Sequence, residues 1–430
     1  MGTYRFSFIF LDASKDLYIT ADEKDILAVV TEFAVALAVD IDFSQHVIKL
    51  SYYRKNDEQF RKNIDTLVSI FKSQAPQVQQ LPKFFKDQTD GEYFFIGYNF
   101  DLSEDEILKV NASLEFLNSG RPYQQTMDVI NRVFGSVRQA YKIYAFYGAS
   151  KKHFYGEKDK VKRVCRFCHG TQATGAKFTM DAHTISESIG NKLIFSYEEC
   201  DICNDRLGSS VEQDFGEMLR IDRCYFGVKG KDGIPVVRGE NFTMEHPEGG
   251  ALSIKIFNDD DGHVPELDEI VLKYILRYNP QNIYRCLVKY ALGVMPQEYV
   301  CHFDKVGNWV RNQNSLAKLP TLKKLTLAKH EMQPHIILYI RKGGNKDLPY
   351  AVGEFHVLRY IYSFIIPLCD EDDRDFCNQM DYDRFWNLFT HYNSIKDWQS
   401  MSVSIDNVIE HQICINLSGR SEHVPVNLTV

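Results

Sequence analysis

The sequence has no apolar run long enough to cross a bilayer. Its most apolar helical candidate, ILAVVTEFAVALAV from Ile26 to Val39, is 14 residues long and contains Glu32, whereas a spanning helix needs roughly 20 apolar residues. The opening stretch, MGTYRFSFIFLDASKD, lacks the basic region, apolar run and small-residue cleavage site of a secretory signal. Internal repeats and low-complexity tracts are also missing, which excludes solenoids and arrays. These absences lead us to expect a soluble, intracellular (cytoplasmic) chain with no membrane partner.

An excess of positive charge is missing as well. The 50 Lys and Arg against 58 Asp and Glu give a formal net charge of −8 and a pI near 5.9, which argues against indiscriminate coating of nucleic acid. A disulfide framework is not indicated. Of the 10 cysteines, Cys165, Cys168, Cys200 and Cys203 form two CxxC pairs, and the rest are scattered singly, mostly among apolar or aromatic neighbours. That pattern favours one metal site plus buried thiols in a reducing compartment.

The 430 residues have room for two or three domains, and 44% hydrophobic with 25% charged residues is ordinary for a globular chain. Residues 1–155 read as an N-terminal α/β or α+β domain. YRFSFIF places Tyr4, Phe6, Phe8 and Phe10 on one face at period two, and VIKLSYY from Val47 resembles a second strand. Phe60, Ile64, Leu67, Val68 and Phe71 fall at helical spacing, Ser103 with Glu106 has the form of a capping box, and a further helix is expected from Gln125 to Tyr144. Residues 156–222 form the cysteine module. Residues 223–430 read as a C-terminal α+β domain, with a turn-rich hairpin at KGKDGIPVVRG, a strand at ALSIKIF, and a helix carrying Ile283, Leu287, Tyr290, Ala291 and Val294 on one face that stops at Pro296. Strands at HIILYIRK and AVGEFHVLRYIYSFIIP and a helical segment from Phe385 to Phe389 complete it. The acidic runs NDDDG and CDEDDRD read as solvated loops.

Charge is placed unevenly. From Lys142 to Arg166 there are eight Lys or Arg against Glu157 and Asp159, interleaved with Tyr144, Phe146, Tyr147, Phe154 and Tyr155. Lys151, Lys152, Lys160, Lys162, Arg163 and Arg166 are therefore candidate phosphate contacts, the alternative being a solvated linker.

The two CxxC pairs supply four thiolates, the number and softness that tetrahedral Zn²⁺ prefers. The 31 residues between them exceed the roughly 15–20 of a simple ribbon, so the insert must fold. KFTMDAHTI reads as a strand, SIGNK as a turn, LIFSY as a second strand, and RLGSSVEQDFGEML spaces Val211, Phe215 and Leu219 for a helix. His169, next to Cys168, competes as a ligand, although four thiolates already satisfy the ion.

CxxC, then AHTIS with SIGNK, then ECDICN before a Gly-containing helix start resemble the HNH endonucleases of the ββα-metal fold. The likeness is to the branch whose centre reads Ala-His-x-Ile-Pro with a following Gly-Asn, and whose second knuckle reads Glu-Cys-Asp-x-Cys-Asn. It covers Cys165 to Leu219, about 55 residues, and leaves residues 1–150 uncovered. NIYRCLVKYALGVMP is a weaker echo of a helix that often follows the module. The resemblance implies an α+β chain with a central zinc-bound ββα-metal module between mixed flanking regions. It implies His183 as general base, Asn204 as a ligand of a catalytic Mg²⁺ or Mn²⁺, and Cys165, Cys168, Cys200 and Cys203 as structural zinc ligands. It also implies a bacterial or phage enzyme acting on DNA, double-stranded by expectation, with a role in anti-phage defence; the oligomeric state stays open, a homodimer included.

The chemistry asks for such a set on its own terms. A phosphodiester repels nucleophiles, so its hydrolysis needs a base for the water and a cation facing the developing charge. Histidine serves as base near neutral pH, and hard Mg²⁺ takes oxygen ligands while thiolates take zinc. The chain departs from the pattern at Ala182, where many HNH nucleases carry an acidic metal ligand. Asp181, Glu212 and Asp214 are the candidate replacements. Phe195 stands where the middle asparagine is expected, which leaves Asn191 as its substitute, and Ser186 replaces a common proline. Against these stand a His183 that is merely packed, an Asn204 that merely caps a helix, and a zinc module that binds nucleic acid or regulates without catalysis.

Overall fold

The computed structural model describes residues 2–11, 13–21, 23–42, 44–45, 47–73, 75–147, 152–257, 270–393, 395 and 397–416. The fold is mixed α+β and divides into two compact units, Met1–Gly135 and Ser136–Val430. The break falls inside the helix Tyr123–Ala140, before the expected boundary at 155/156; the helix read as reaching Tyr144 ends at Ala140 and gives way to a strand, Tyr141–Phe146. That strand pairs antiparallel with Ile336 to Arg341 of the second unit. Among the described residues, no helix is long and apolar enough to cross a membrane.

In the first unit, four antiparallel strands lie in the order Ser14–Ala21, Gly2–Ile9, Tyr93–Tyr98, Tyr53–Lys55. The period-two pattern buries Phe6, Phe8 and Phe10 against Phe60, Phe85 and Phe94, and the helices Glu23–Leu37 and Glu58–Phe71 close this core. The Ser103–Glu106 capping box is formed at the start of the helix Glu104–Ser119. VIKLSYY does not form one strand. Among the described residues Val47–Lys49 pairs with Asp40–Asp42 alone and is exposed, while Tyr53–Lys55 joins the main sheet.

The second unit is built around the helix Pro280–Val294, buried along its whole length. A long hairpin, Leu322–Arg341 with Ala351–Ile365, packs on it, and Tyr141–Phe146 and Gln399–Met401 flank the first of these strands. One hydrophobic cluster runs from Phe167, Ile185 and Phe215 through Leu287 to Phe355. The cysteine module and the C-terminal region therefore share a core, and no division falls at 222/223. Within the acidic run CDEDDRD, the Asp372 side chain is 6% exposed, pairs with Arg341 at 2.9 Å and is not solvated. NDDDG lies outside the described residues.

A fully buried helix must satisfy its own polar side chains. Arg285 does so through Asp406 (2.7 and 2.8 Å), Asn282, Gln281 and the carbonyls of Trp309 and Asn314. The hydrogen bond from Arg285 holds the Asp406 carboxyl down to about 2, from an ordinary 3.8. The folded state thus binds this proton less readily than the unfolded chain, so the pair's stabilisation is present above about pH 4 and lost as pH falls toward 2. Asp406→Asn is expected to lower unfolding free energy at pH 7 by at least about 2 kcal/mol. Urea titrations at several pH values should show the gap to wild type narrowing below pH 4.

Candidate metal centre and its histidine

Two backbone turns present the cysteines. In the first, the Cys165 N–H donates to the Gly170 carbonyl and the His169 N–H to the Cys165 carbonyl, both at 2.9 Å. His169 takes the left-handed conformation at φ 56°. In the second, Cys200 is the extended cap of the helix Asp201–Gly208, and the Asn204 N–H closes the first turn onto the Cys200 carbonyl. The four sulfurs lie within 4.8 Å of one another, with Cys168 and Cys200 at 3.6 Å. A tetrahedral ion with Zn–S bonds of about 2.3 Å would set its sulfurs about 3.8 Å apart, so the group could hold a metal such as zinc. The hydrogen bond from Cys165 holds the Cys168 thiol down to about 6, while Cys165 is pushed up. Thiols this crowded compete for protons, a conflict that a dication removes. His169 is exposed and outside the group.

Between the knuckles the order is strand, loop, strand, helix. Ala182–His183 pairs antiparallel with Ile194–Ser196, His183 opposite Phe195, and His153–Tyr155 adds a parallel strand on the far edge. The helix Asp201–Gly208 packs on Ala182–His183. The strand is shorter than KFTMDAHTI suggests because the Thr179 and Met180 N–H groups donate to the Asp201 carboxylate instead of a neighbouring strand.

Asn191, an expected site residue, is structural. Its amide donates to the Ile185 and Ile194 carbonyls (2.6 and 2.9 Å) and accepts from the Leu193 and Ile194 N–H groups. All four hydrogen-bonding positions are filled, so it ties the loop and offers nothing to a metal.

His183 is half-buried, its ring 4.4 Å from that of Phe195. Burial lowers its pKa below the ordinary value, the Lys289 and Lys152 charges lower it further, and Glu187 and Glu212 oppose them. The imidazole is therefore neutral at neutral pH and able to accept a proton. Asn204 gives one long contact to the Met180 sulfur at 3.6 Å, and its amide oxygen accepts no hydrogen bond among the described residues.

The expected carboxylates are held elsewhere. Asp181 is exposed and paired with Lys152 at 3.5 Å, which itself lies over the Phe195 ring. Glu212 pairs at 2.8 Å with Lys289 of the buried helix, and Asp214 accepts from Asn282 of that helix at 2.6 Å. Among the described residues, the four cysteines are the only group of three or more His, Cys, Asp or Glu side chains close enough to share an ion. Glu187, in the short turn after His183, is an acidic influence on the histidine that no motif position marks.

Lys289 was equally hidden in the sequence. Its ammonium is 1% exposed, contacts Glu199 (3.2 Å) and Glu212, and donates to the His183 and Thr184 carbonyls at 2.7 and 3.1 Å. Burial pushes the Glu199 carboxyl up to about 7, which eases the crowding of two carboxylates on one ammonium. The only sequence signal was a lysine between Val288 and Tyr290, in the apolar second half of a helix whose other charged residue is Arg285.

The basic approach divides in two. Lys152, Lys160 and Lys162 are exposed. Arg163 is buried over the Tyr197 ring and donates to the Glu157 and Lys158 carbonyls. Arg166 is buried too, paired with Glu198 at 2.7 Å and donating to the Leu292 and Met295 carbonyls. Both arginines hold the fold together and are not available to phosphate; Lys151 lies outside the described residues.

The chain has no significant match to any protein-family model, curated protein or solved structure.

Elemental analysis of the purified chain is expected to find one zinc per molecule. Cys168→Ser should reduce that content, and chelation should lower Tm. Lys289→Met leaves Glu199 and Glu212 buried without their cation and is expected to cost about 3–5 kcal/mol, read from the urea midpoint.

Proposed function

We propose that the chain is a zinc-stapled, divalent-metal-dependent endonuclease of the HNH type, hydrolysing DNA phosphodiester bonds. The observation that carries this reading is the neutral, half-buried His183, set on a short strand against the helix that begins at the cysteine pair and bears Asn204. In this reading His183 takes the proton from the attacking water, and its tilted contact with Phe195 and the anchoring of its carbonyl by Lys289 fix the ring's position. The Asn204 amide oxygen would help hold Mg²⁺ or Mn²⁺, whose charge stabilises the developing negative charge when bound. Lys152, Lys160 and Lys162 would position the backbone without reading sequence. The four cysteines hold the scaffold and take no part in the reaction.

One observation favours a second reading, a nucleic-acid-binding module without catalysis: Asp181 and Glu212 are both engaged in ion pairs. The two separate in a single experiment. With Mg²⁺ or Mn²⁺ the purified protein is expected to cut plasmid DNA, and His183→Ala to abolish cutting with zinc content unchanged. Equal cutting by both proteins would remove His183 as base. Salt-sensitive binding with no cleavage under any divalent ion would select the second reading. In either case, changing Lys152, Lys160 and Lys162 to Gln should weaken DNA binding and flatten its dependence on salt.

A further inference from the structure

A cavity of about 440 Å³ opens between the loop that follows His183 and the helices Val211–Met218 and Arg220–Tyr225. Its walls include Ser186, Ser188, Gly216, Gly230, Arg220 and Arg223. Arg223 is a half-buried cation on this wall, and it has no ion-pair partner among the described residues. Its guanidinium makes one long hydrogen bond, from Nη1 to the Gly216 carbonyl at 3.4 Å, its Nε is buried with no partner, and no carboxylate pairs with it among the described residues. Arg220 differs: it grips Glu217 at 2.6 Å, and the Tyr274 hydroxyl donates to the same carboxylate.

The acids on the wall do not supply what Arg223 lacks. Glu217 is held by Arg220 and Glu212 by Lys289. Asp232 is exposed beside exposed Lys231 in the turn closed by Gly230 and Gly233. Burial lowers the Arg223 guanidinium to about 10, the neighbouring Arg220 charge lowers it further, and Glu217 opposes them without pairing with it.

Bare backbone keeps the donors together. A Cβ at Gly216 would fall 3.1 Å from Ser188 Oγ and 3.6 Å from Arg223 Nη1. One at Gly230 would fall 3.0 Å from the Ser188 Cα and 3.3 Å from Arg223 Nη2. The Ser186 and Ser188 hydroxyls are 2.9 Å apart, so one hydrogen joins them and the other is free to donate.

We propose that this cavity binds a phosphate group, free or carried on a small molecule, with Arg223 as its anchoring cation and Ser188 as a second donor. A guanidinium fork and a hydroxyl approaching from separate elements suit the several oxygens of a phosphate better than the flat pair of a carboxylate. The volume lies within the range of small-molecule sites. The wall residue Glu212 shares Lys289 with the His183 carbonyl, so the ligand would sit one ion pair from the histidine.

Calorimetry on the full-length, zinc-loaded protein tests this with inorganic phosphate, adenosine monophosphate, adenosine and acetate. One saturable site for phosphate or for the nucleotide is expected, with none for adenosine or acetate; whichever of the two binds more tightly identifies a free or a carried phosphate. Arg223→Gln should weaken that binding by about tenfold or more, and Ser188→Ala by less, with zinc content retained. Should Arg223→Gln fail to fold, Ser188→Ala carries the comparison. Absence of saturable binding by both phosphate probes, binding of acetate or adenosine to the same degree, or wild-type affinity in the folded variants would overturn the proposal.

Discussion

The buried ammonium of Lys289 joins the cysteine-bearing segment to the rest of its unit. Taking such a charge from water costs several kcal/mol, and here two carboxylates and two carbonyls offset that cost at once. The partners come from three places in sequence: Glu199 adjoins the second knuckle, Glu212 opens the following helix, and the carbonyls belong to the strand of His183 and its successor. One side chain thereby fixes the positions of strand, knuckle and helix relative to Pro280–Val294. Arg166 repeats the device from the first knuckle, reaching Glu198 and the end of the same helix.

Close packing leaves that arrangement little slack. A Cβ at Gly293 would come within 2.4 Å of Thr184 Cγ2, and one at Gly307 within 2.3 Å of the Phe167 carbonyl oxygen. The helix Pro280–Val294 therefore meets the Thr184 side chain, and the short helix Val306–Val310 meets the backbone of the first knuckle, with no room for a methyl group at either glycine. Zinc would constrain the knuckles from one side, while the central helix constrains them from the other. That double constraint explains why so little regular strand is needed around His183: two residues of ladder suffice when both flanks are anchored.

What was legible in the sequence was whatever local pattern alone determines. Cysteine spacing foretold the four-sulfur cluster, period two the burial of Phe6, Phe8 and Phe10, and helical spacing the buried face of Glu58–Phe71. What escaped depended on partners distant in sequence. Tyr141–Phe146 reads as a helix end until Ile336 to Arg341 lies beside it. Arg163 and Arg166 read as phosphate contacts or solvated charge, since only the folded chain supplies the carbonyls and the Glu198 carboxylate that bury them. Asn191 reads as a substitute for the motif's middle asparagine because sequence cannot reveal that its amide is already saturated by its own loop.

The same distinction bears on the chemistry proposed for His183. A metal site with a ready carboxylate would bind its ion before substrate, but Asp181 and Glu212 are held by lysines, and the Asn204 amide is a neutral ligand. Mg²⁺ keeps several waters and is commonly held by few protein groups together with substrate phosphates. In a nuclease of this construction the phosphodiester itself would complete the coordination, so metal and DNA would bind together and each would raise the affinity for the other. Approach of a phosphate to Lys152 would also compete with its ion pair to Asp181, freeing a carboxylate two residues before the histidine. The site would then be assembled by its substrate, with the neutral imidazole already in place and the missing acid supplied only when DNA displaces it from its lysine.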